Sequence, residues 1–218
     1  MSTRSVAKKC FKAFFLLLAL PLYVAFQLLW LITRTDGCFA SFSQALSLVP
    51  GKAGTYLRAA FYRLTCPGTS DEISVGFLTV LSHRDTTIRK GVYIGPQCNI
   101  GMCEIGENTL LGSGVHILSG NKQHDFTDDK KPIQDQGGSF DKVTIGSDCW
   151  IGNGAIVMCG ISEKTIVAAG SVVTRTADRG AILAGNPARK LSSRYGNNAA
   201  TKNDNQPINP KDNQQNDY

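Results

Sequence analysis

From Ile88 onward an aliphatic residue returns every six positions: Ile88, Ile94, Ile100; Ile105, Leu111, Ile117; Ile145, Ile151, Val157; and Ile161, Val167, Val173. Helix faces repeat every 3.6 residues and strand faces every two, so neither element carries this period. Four residues after the aliphatic comes a second, small position, filled by Val92, Cys98, Thr109, Val115, Cys149, Ala155, Thr165 and Ser171. Two linked positions per six residues predict short strands that each send one aliphatic and one small side chain inward. Three such strands close a triangular coil, and stacked coils pair as parallel strands that cover one another's apolar faces. The fold class expected is all-β, a parallel β-helix of hexapeptide repeats. Glycine often follows the aliphatic, at Gly95, Gly101, Gly106, Gly112, Gly146 and Gly152, where the missing Cβ is expected to ease a sharp turn.

The register breaks in three places. Ile100 to Ile105 is one residue short, Val157 to Ile161 is two short, and the stretch 118–142 abandons the pattern. A long polar excursion from a compact solenoid is a place to look for chemistry. Before the regular repeats, EISVGFLTVLSHRDT reads as an imperfect first coil. The chain thus divides into an N-terminal helical region, 1–66, a repeat domain, 73–191, and a tail, 192–218, whose Asn- and Gln-rich composition predicts disorder.

Between Lys12 and Arg34 the chain runs AFFLLLALPLYVAFQLLWLIT without a charge, a length that matches a bilayer core of roughly 30 Å. A membrane segment is the first reading and a buried helical hairpin the second, since Pro21 and Gln27 interrupt the run. A cleaved signal peptide fits poorly, because the apolar run is long and Cys38-Phe39-Ala40 makes a weak cleavage site. Basic residues flank the segment on both sides, so charge does not orient it. Pro21 is expected to break it into a re-entrant hairpin, with SQALSLVPGKAGTYLRAAFYRL lying in the interface. That is a monotopic anchor with a cytoplasmic catalytic domain.

The formal charge of +6 suits an anionic partner. The basic residues are scattered and no nucleic-acid-binding motif accompanies them, so nucleic acid is not the expected partner. Seven cysteines, odd in number and without CxxC or zinc-finger spacing, argue against a disulfide framework. Cys98 and Cys149 occupy the small inward position, where cysteine serves as a buried hydrophobe in a reducing compartment.

Only His83, His116 and His124 carry protons near neutrality. His83 reads as a turn histidine just before the repeats. His116 precedes the inward Ile117 and should point outward against a neighbouring coil or subunit. His124 sits in the extruded loop between Gln123 and Asp125, where no strand accounts for it, and is the candidate catalytic residue.

The loop ILSGNKQHDF, the return coil VTIGSDCWIGNGAIV, the run IVAAGSVVTR and the closing AGNPARKL together resemble the hexapeptide-repeat acyltransferases. Galactoside and maltose acetyltransferases, streptogramin-type xenobiotic acetyltransferases and capsule or colanic-acid O-acetyltransferases are the members they are most similar to, over about residues 73–191. The resemblance implies a left-handed winding and a homotrimer with active sites between subunits. It implies acetyl-CoA as the acyl-donor cosubstrate, with no permanently bound cofactor or metal. His124 would then be the general base toward an acceptor hydroxyl. Trp150 would lie beside the site. Gly152, Asn153, Ala169 and Gly170 would present backbone amides to the pantetheine and thioester. Thr174, Arg175 and Arg189 would meet the nucleotide and phosphates. At GISEKTIVAAG the chain departs from the family pattern, lacking two residues and the glycine turn. With the membrane segment, the acceptor expected is a sugar or cell-envelope glycan precursor.

Two other functions share this fold. A γ-class carbonic anhydrase binds zinc through three histidines between subunits. Here His116 and His124 are eight residues apart and His83 is out of phase, which suits convergent ligands poorly. A non-catalytic β-helix scaffold is the third reading.

Overall fold

In a computed structural model, residues 3–195 are described; most of the tail, 196–218, lies outside them. Three helices come first: α1 (Thr3–Thr33), α2 (Asp36–Ser47) and α3 (Gly51–Thr65). The segment expected to be imperfect forms a complete first coil of β1 (Ser74–Val75), β2 (Val80–Leu81) and β3 (Thr87–Ile88). The second coil holds β4 (Tyr93–Ile94), β5 (Asn99–Ile100) and β6 (Cys103–Ile105). The third holds β7 (Leu110–Leu111), β8 (His116–Ile117) and, after the long loop, β9 (Val143–Ile145). Next come β10 (Trp150–Ile151), β11 (Ile156–Val157), β12 (Ile166–Val167) and β13 (Val172–Val173). An antiparallel hairpin of β14 (Ala181–Gly185) and β15 (Ala188–Ser193) ends the described chain.

Three sheets result. One runs β1-β4-β7-β10-β12-β14-β15, the second β13-β11-β8-β5-β2, and the third β3-β6-β9, with every coil-to-coil pairing parallel. All twelve repeated aliphatics are buried, and so are the eight small residues of the second inward position. The shortened step before Ile161 is absorbed by a turn that still bridges Ile161 to Ile145, so GISEKTIVAAG keeps its register.

The glycines after the aliphatics serve a different purpose from the one expected. The left-handed turn conformation falls two residues later, at Gln97 (φ 60°), Asn108 (φ 58°), Gly114 (φ 66°), Asp148 (φ 54°), Gly154 (φ 66°), Lys164 (φ 62°) and Gly170 (φ 68°). At Gly106, Gly146 and Gly152 a Cβ would instead strike the backbone of the next coil at 2.5, 2.3 and 2.4 Å. Close stacking of coils, at strand spacing near 4.8 Å, is what excludes a side chain there. Ser162 and Ala168 stand in the same position on the last full coil, where the chain stacked above leaves for the closing hairpin.

α2 and α3 cap the N-terminal end of the prism, where an uncovered coil would expose its core. Phe39, Leu46, Phe61 and Tyr62 share one core with Ile73, Val75 and Leu81. Arg58 is fully buried and ties the cap together: Nε donates to Val75 O at 3.0 Å, and Nη1 donates to Leu46 O at 3.0 Å and Val49 O at 2.8 Å. The last two carbonyls lie at the end of α2, where a cation suits the helix dipole.

α1 packs along α3 and α2. It runs unbroken through Pro21, so the expected re-entrant hairpin does not form. Packing on both sides of the proline, by Phe15 and Ala19 before it and Phe26 after it, outweighs the one lost backbone bond. α2 and α3 are consumed largely by core packing and do not form a free interfacial stretch.

Candidate active site

The site is built from the prism's edges and the loop 118–142. At its root, Leu118 N donates to Val157 O and Asp141 N to Ser119 O, so the loop leaves and returns at one edge, between the sheets of β8 and β9. At its tip, Lys122 to Asp125 lie against Gly137 to Ser139. Ser139 N donates to Lys122 O at 2.8 Å and Asp125 N to Gly137 O at 3.0 Å. Gln136 secures the far side, accepting from Asp128 N at 2.9 Å and donating to Asp128 O and Lys131 O at 2.8 Å each. His124 is thereby held in an ordered strand of loop with its side chain exposed. The Asp128 carboxylate is engaged locally with Lys130 N and Lys131, so it does not orient the imidazole.

Gly152, Asn153, Ala169 and Gly170 come together on another edge, in successive coils between β10 and β11 and between β12 and β13. Their amides are not equivalent. Gly152 N donates to Val167 O and Gly170 N to Asn153 O, so both are spent inside the ladder, contrary to their expected availability. The amides of Asn153 and Ala169 have no such backbone acceptor among the described residues, and both residues are exposed. Asn153 Oδ1 accepts from Ser113 N at 3.1 Å, which fixes the side chain to the coil before it.

Trp150, 56% exposed, stands on the adjoining face in a registered ladder with Tyr93, Leu110, Ile166 and Ile182. Thr174 and Arg175 follow β13 on the edge that carries the loop root, since Met158 N donates to Val173 O directly above the bond from Leu118 to Val157. Arg189 is exposed on β15 and its Nη1 donates to Ala188 O at 3.1 Å.

His83 and His116, read as a turn residue and a packing residue, both line a cavity of about 350 Å³ at the base of the loop, with Asn99, Ser119, Gln123 and Phe140. Asn99 and His116 are registered neighbours on β5 and β8. Ser82 Oγ lies 2.8 Å from His83 Nδ1, and the His83 ring sits 5.3 Å from the Phe140 ring. His124 does not line this cavity, and among the described residues no three His, Cys, Asp or Glu converge as metal ligands. Burial holds the thiols of Cys66, Cys98, Cys103 and Cys149 above the ordinary range, which makes these four poor nucleophiles.

No protein-family model matches the chain. Over 107 residues it is 31% identical to a chloramphenicol acetyltransferase of Klebsiella aerogenes, a match that covers 42% of this chain and 51% of the relative. The chain spans about half the length of the curated relatives it matches. Among solved structures, the maltose O-acetyltransferase from Clostridium difficile 630 superposes with a TM-score of 0.61 at 22% identity, covering 71% of this chain and 84% of that one. This is the hexapeptide-repeat acetyltransferase fold. A galactoside acetyltransferase in complex with coenzyme A, at TM-score 0.60 and 16% identity, covers 72% of this chain and 80% of that one. The hexapeptide-repeat fold accounts for the stacked coils; the residues that do chemistry rest on this chain's own geometry.

Proposed function

We propose that this chain is an O-acyltransferase that moves an acetyl group from acetyl-CoA to a hydroxyl of a sugar or cell-envelope glycan precursor. His124 takes the hydroxyl proton as the oxygen attacks the thioester carbonyl. The new C–O bond forms, the C–S bond breaks, and the imidazolium returns the proton to the departing CoA sulfur. The Asn153 and Ala169 amides hold the pantetheine arm and thioester, where a developing oxyanion needs preorganised donors. Trp150 packs beside them. Thr174, Arg175 and Arg189 receive the nucleotide and its phosphates.

The acceptor enters the cavity of His83, Asn99, His116, Gln123 and Phe140. Its imidazoles and amides beside an aromatic wall match the hydroxyls and apolar face of a sugar ring. The prism winds left-handed and the working unit is a homotrimer. Two features support that assembly: the base and the free amides stand on different edges of one prism, and the ladder from Tyr93 to Ile182 is an exposed apolar face that a neighbour would cover. The catalytic coils work on the cytoplasmic side, where acetyl-CoA is made.

The observation that carries this reading is an exposed imidazole pinned by its loop and next in sequence to Gln123, which lines an acceptor-sized cavity. The test follows thiol release from acetyl-CoA with a panel of glycan acceptors. Wild-type protein turns over and His124→Ala loses about a hundredfold in kcat. Full turnover in His124→Ala, or no CoA binding by the wild type, refutes the proposal.

A further inference from the structure

α1 is the one element among the described residues that is long and apolar enough to cross a membrane. Its geometry speaks for a different placement. Buried or half-buried positions recur at Lys12, Phe15, Ala19, Tyr23, Phe26 and Trp30, a stripe that faces α3, α2 and the first coil. The polar side chains between residues 12 and 32 all belong to this inner side, and Gln27 spends its amide on Tyr23 Oη at 2.8 Å. The outer side holds Phe14, Leu17, Leu18, Val24, Leu28 and Leu31, each between 50% and 67% exposed. α1 is thus apolar on both sides and lacks the polar outer side that a surface helix of a soluble protein turns to water.

Two tethers fix α1 lengthwise against the first coil. Near its start, Lys12 Nζ lies 3.2 Å from Asp71 Oδ2 and 3.7 Å from Glu72 Oε1. Near its end, the Arg84 guanidinium stacks 5.0 Å from the Trp30 ring and 5.9 Å from the Phe26 ring, while Arg84 Nε donates to Thr65 O. At 1.5 Å per residue the tethers stand about 27 Å apart, close to the hydrocarbon thickness of a bilayer. A spanning α1 would therefore drag the cap and the first coil, with turns and charges, through the lipid, where irregular backbone is not tolerated. Exposed cations lie at both ends of the apolar face, Lys9 before it and Arg34 after it, and Lys52 opens α3.

We infer that the outer face of α1 docks in the plane of an anionic bilayer, buried at the boundary of headgroups and acyl chains, and does not cross it. The cap then faces lipid and the coils stack away from it. Resting on the acyltransferase reading, one consequence concerns substrate: the acceptor cavity draws on the first three coils, within about 15 Å of the cap at 4.8 Å per coil. That height suits a headgroup-linked glycan in preference to a soluble sugar.

The test uses the full chain and vesicles of phosphatidylcholine with or without phosphatidylglycerol. Flotation with the anionic vesicles is expected, and Leu17→Glu combined with Leu28→Glu should weaken it about a hundredfold with unchanged circular dichroism, because both residues lie outside the core. Nitroxide labels at positions 17, 24 and 31, in a background of Cys10→Ser, Cys38→Ala and Cys159→Ala that removes the exposed and half-buried thiols, should then sit at one shallow depth. A deep label at 24 between shallow ones at 17 and 31 overturns in-plane docking. So does a chain that ignores vesicles and self-associates through this face. Acetyl transfer to a soluble acceptor is scored separately: its absence with docking intact counts against the enzyme reading alone.

Discussion

Gly138→Ala separates the geometry of the base from the stability of the prism. Gly138 adopts φ 149°, a conformation that L side chains avoid, and a Cβ there would meet Gln123 O at 2.0 Å and His124 N at 2.8 Å. Ordinary contact begins near 3.4 Å, so Gln123 or residue 138 must move by 3.4 − 2.0 = 1.4 Å. The motion falls on the two strands of loop that hold His124, whose residues are exposed or half-buried and lie outside the core. A displacement of about 1 Å at a reacting group costs on the order of a hundredfold in rate. The expected result is a kcat for thiol release reduced about a hundredfold, with a thermal transition close to that of the wild type. Gly152→Ala is the contrast. Its Cβ would lie 2.4 Å from Ala169 N between stacked coils, so stability and activity should fall together. A Gly138→Ala enzyme within about twofold of wild-type kcat, or one as unstable as Gly152→Ala, would refute the reasoning.

Arg58→Met should lower stability by about 2 kcal/mol in urea denaturation, because Val75 O and Val49 O lose the Arg58 donor while Leu46 O keeps Val49 N, and no carboxylate is relieved of its partner. Gln97→Gly should raise it by about 0.5 to 1 kcal/mol, since exposed Gln97 holds a left-handed conformation that costs any residue with a Cβ. Between pH 7 and about 9 stability should be flat, and it should decline above that. The buried thiols, with Cys66 pushed up to about 12, keep their protons in the folded state while the unfolded chain releases them, so rising pH favours unfolding. Thermal melts from pH 7 to 10.5 check this, and Cys66→Ala should flatten the decline.

The prism was legible because burial repeats. Side chains at Ile94, Leu111 and Ile151 do the same job in successive coils, and a period carried by buried residues survives every change on the surface. The small position was legible for the same reason. What the repeat could not supply was contact between coils. The glycines after the aliphatics look like turn residues in one dimension, whereas the neighbour that forbids their Cβ lies a whole coil away. The cavity beside the loop is similar: Asn99 and His116 are 17 positions apart, one coil, and polar residues at matched outward positions were the available signal. His124 was found because the loop broke the pattern, but the Gly137–Gly138 pair that pins it makes contacts no period encodes. Pro21 misled because the usual penalty for a proline inside a helix takes no account of packing on either side of it.

The claim on which the mechanism depends is that one chain's imidazole works with another chain's amides. Ala169→Pro deletes one of those amides at a turn position where Pro96 already stands in an equivalent coil, followed by the left-handed Gln97 as Ala169 is by Gly170. His124→Ala and Ala169→Pro homo-oligomers should each be nearly inactive. Co-expressed one to one, they should recover about a quarter of wild-type acetyl transfer, the chance that an intact histidine meets an intact amide across a cyclic interface. A mixture as inactive as its parents would place base and amide in the same chain and contradict the account.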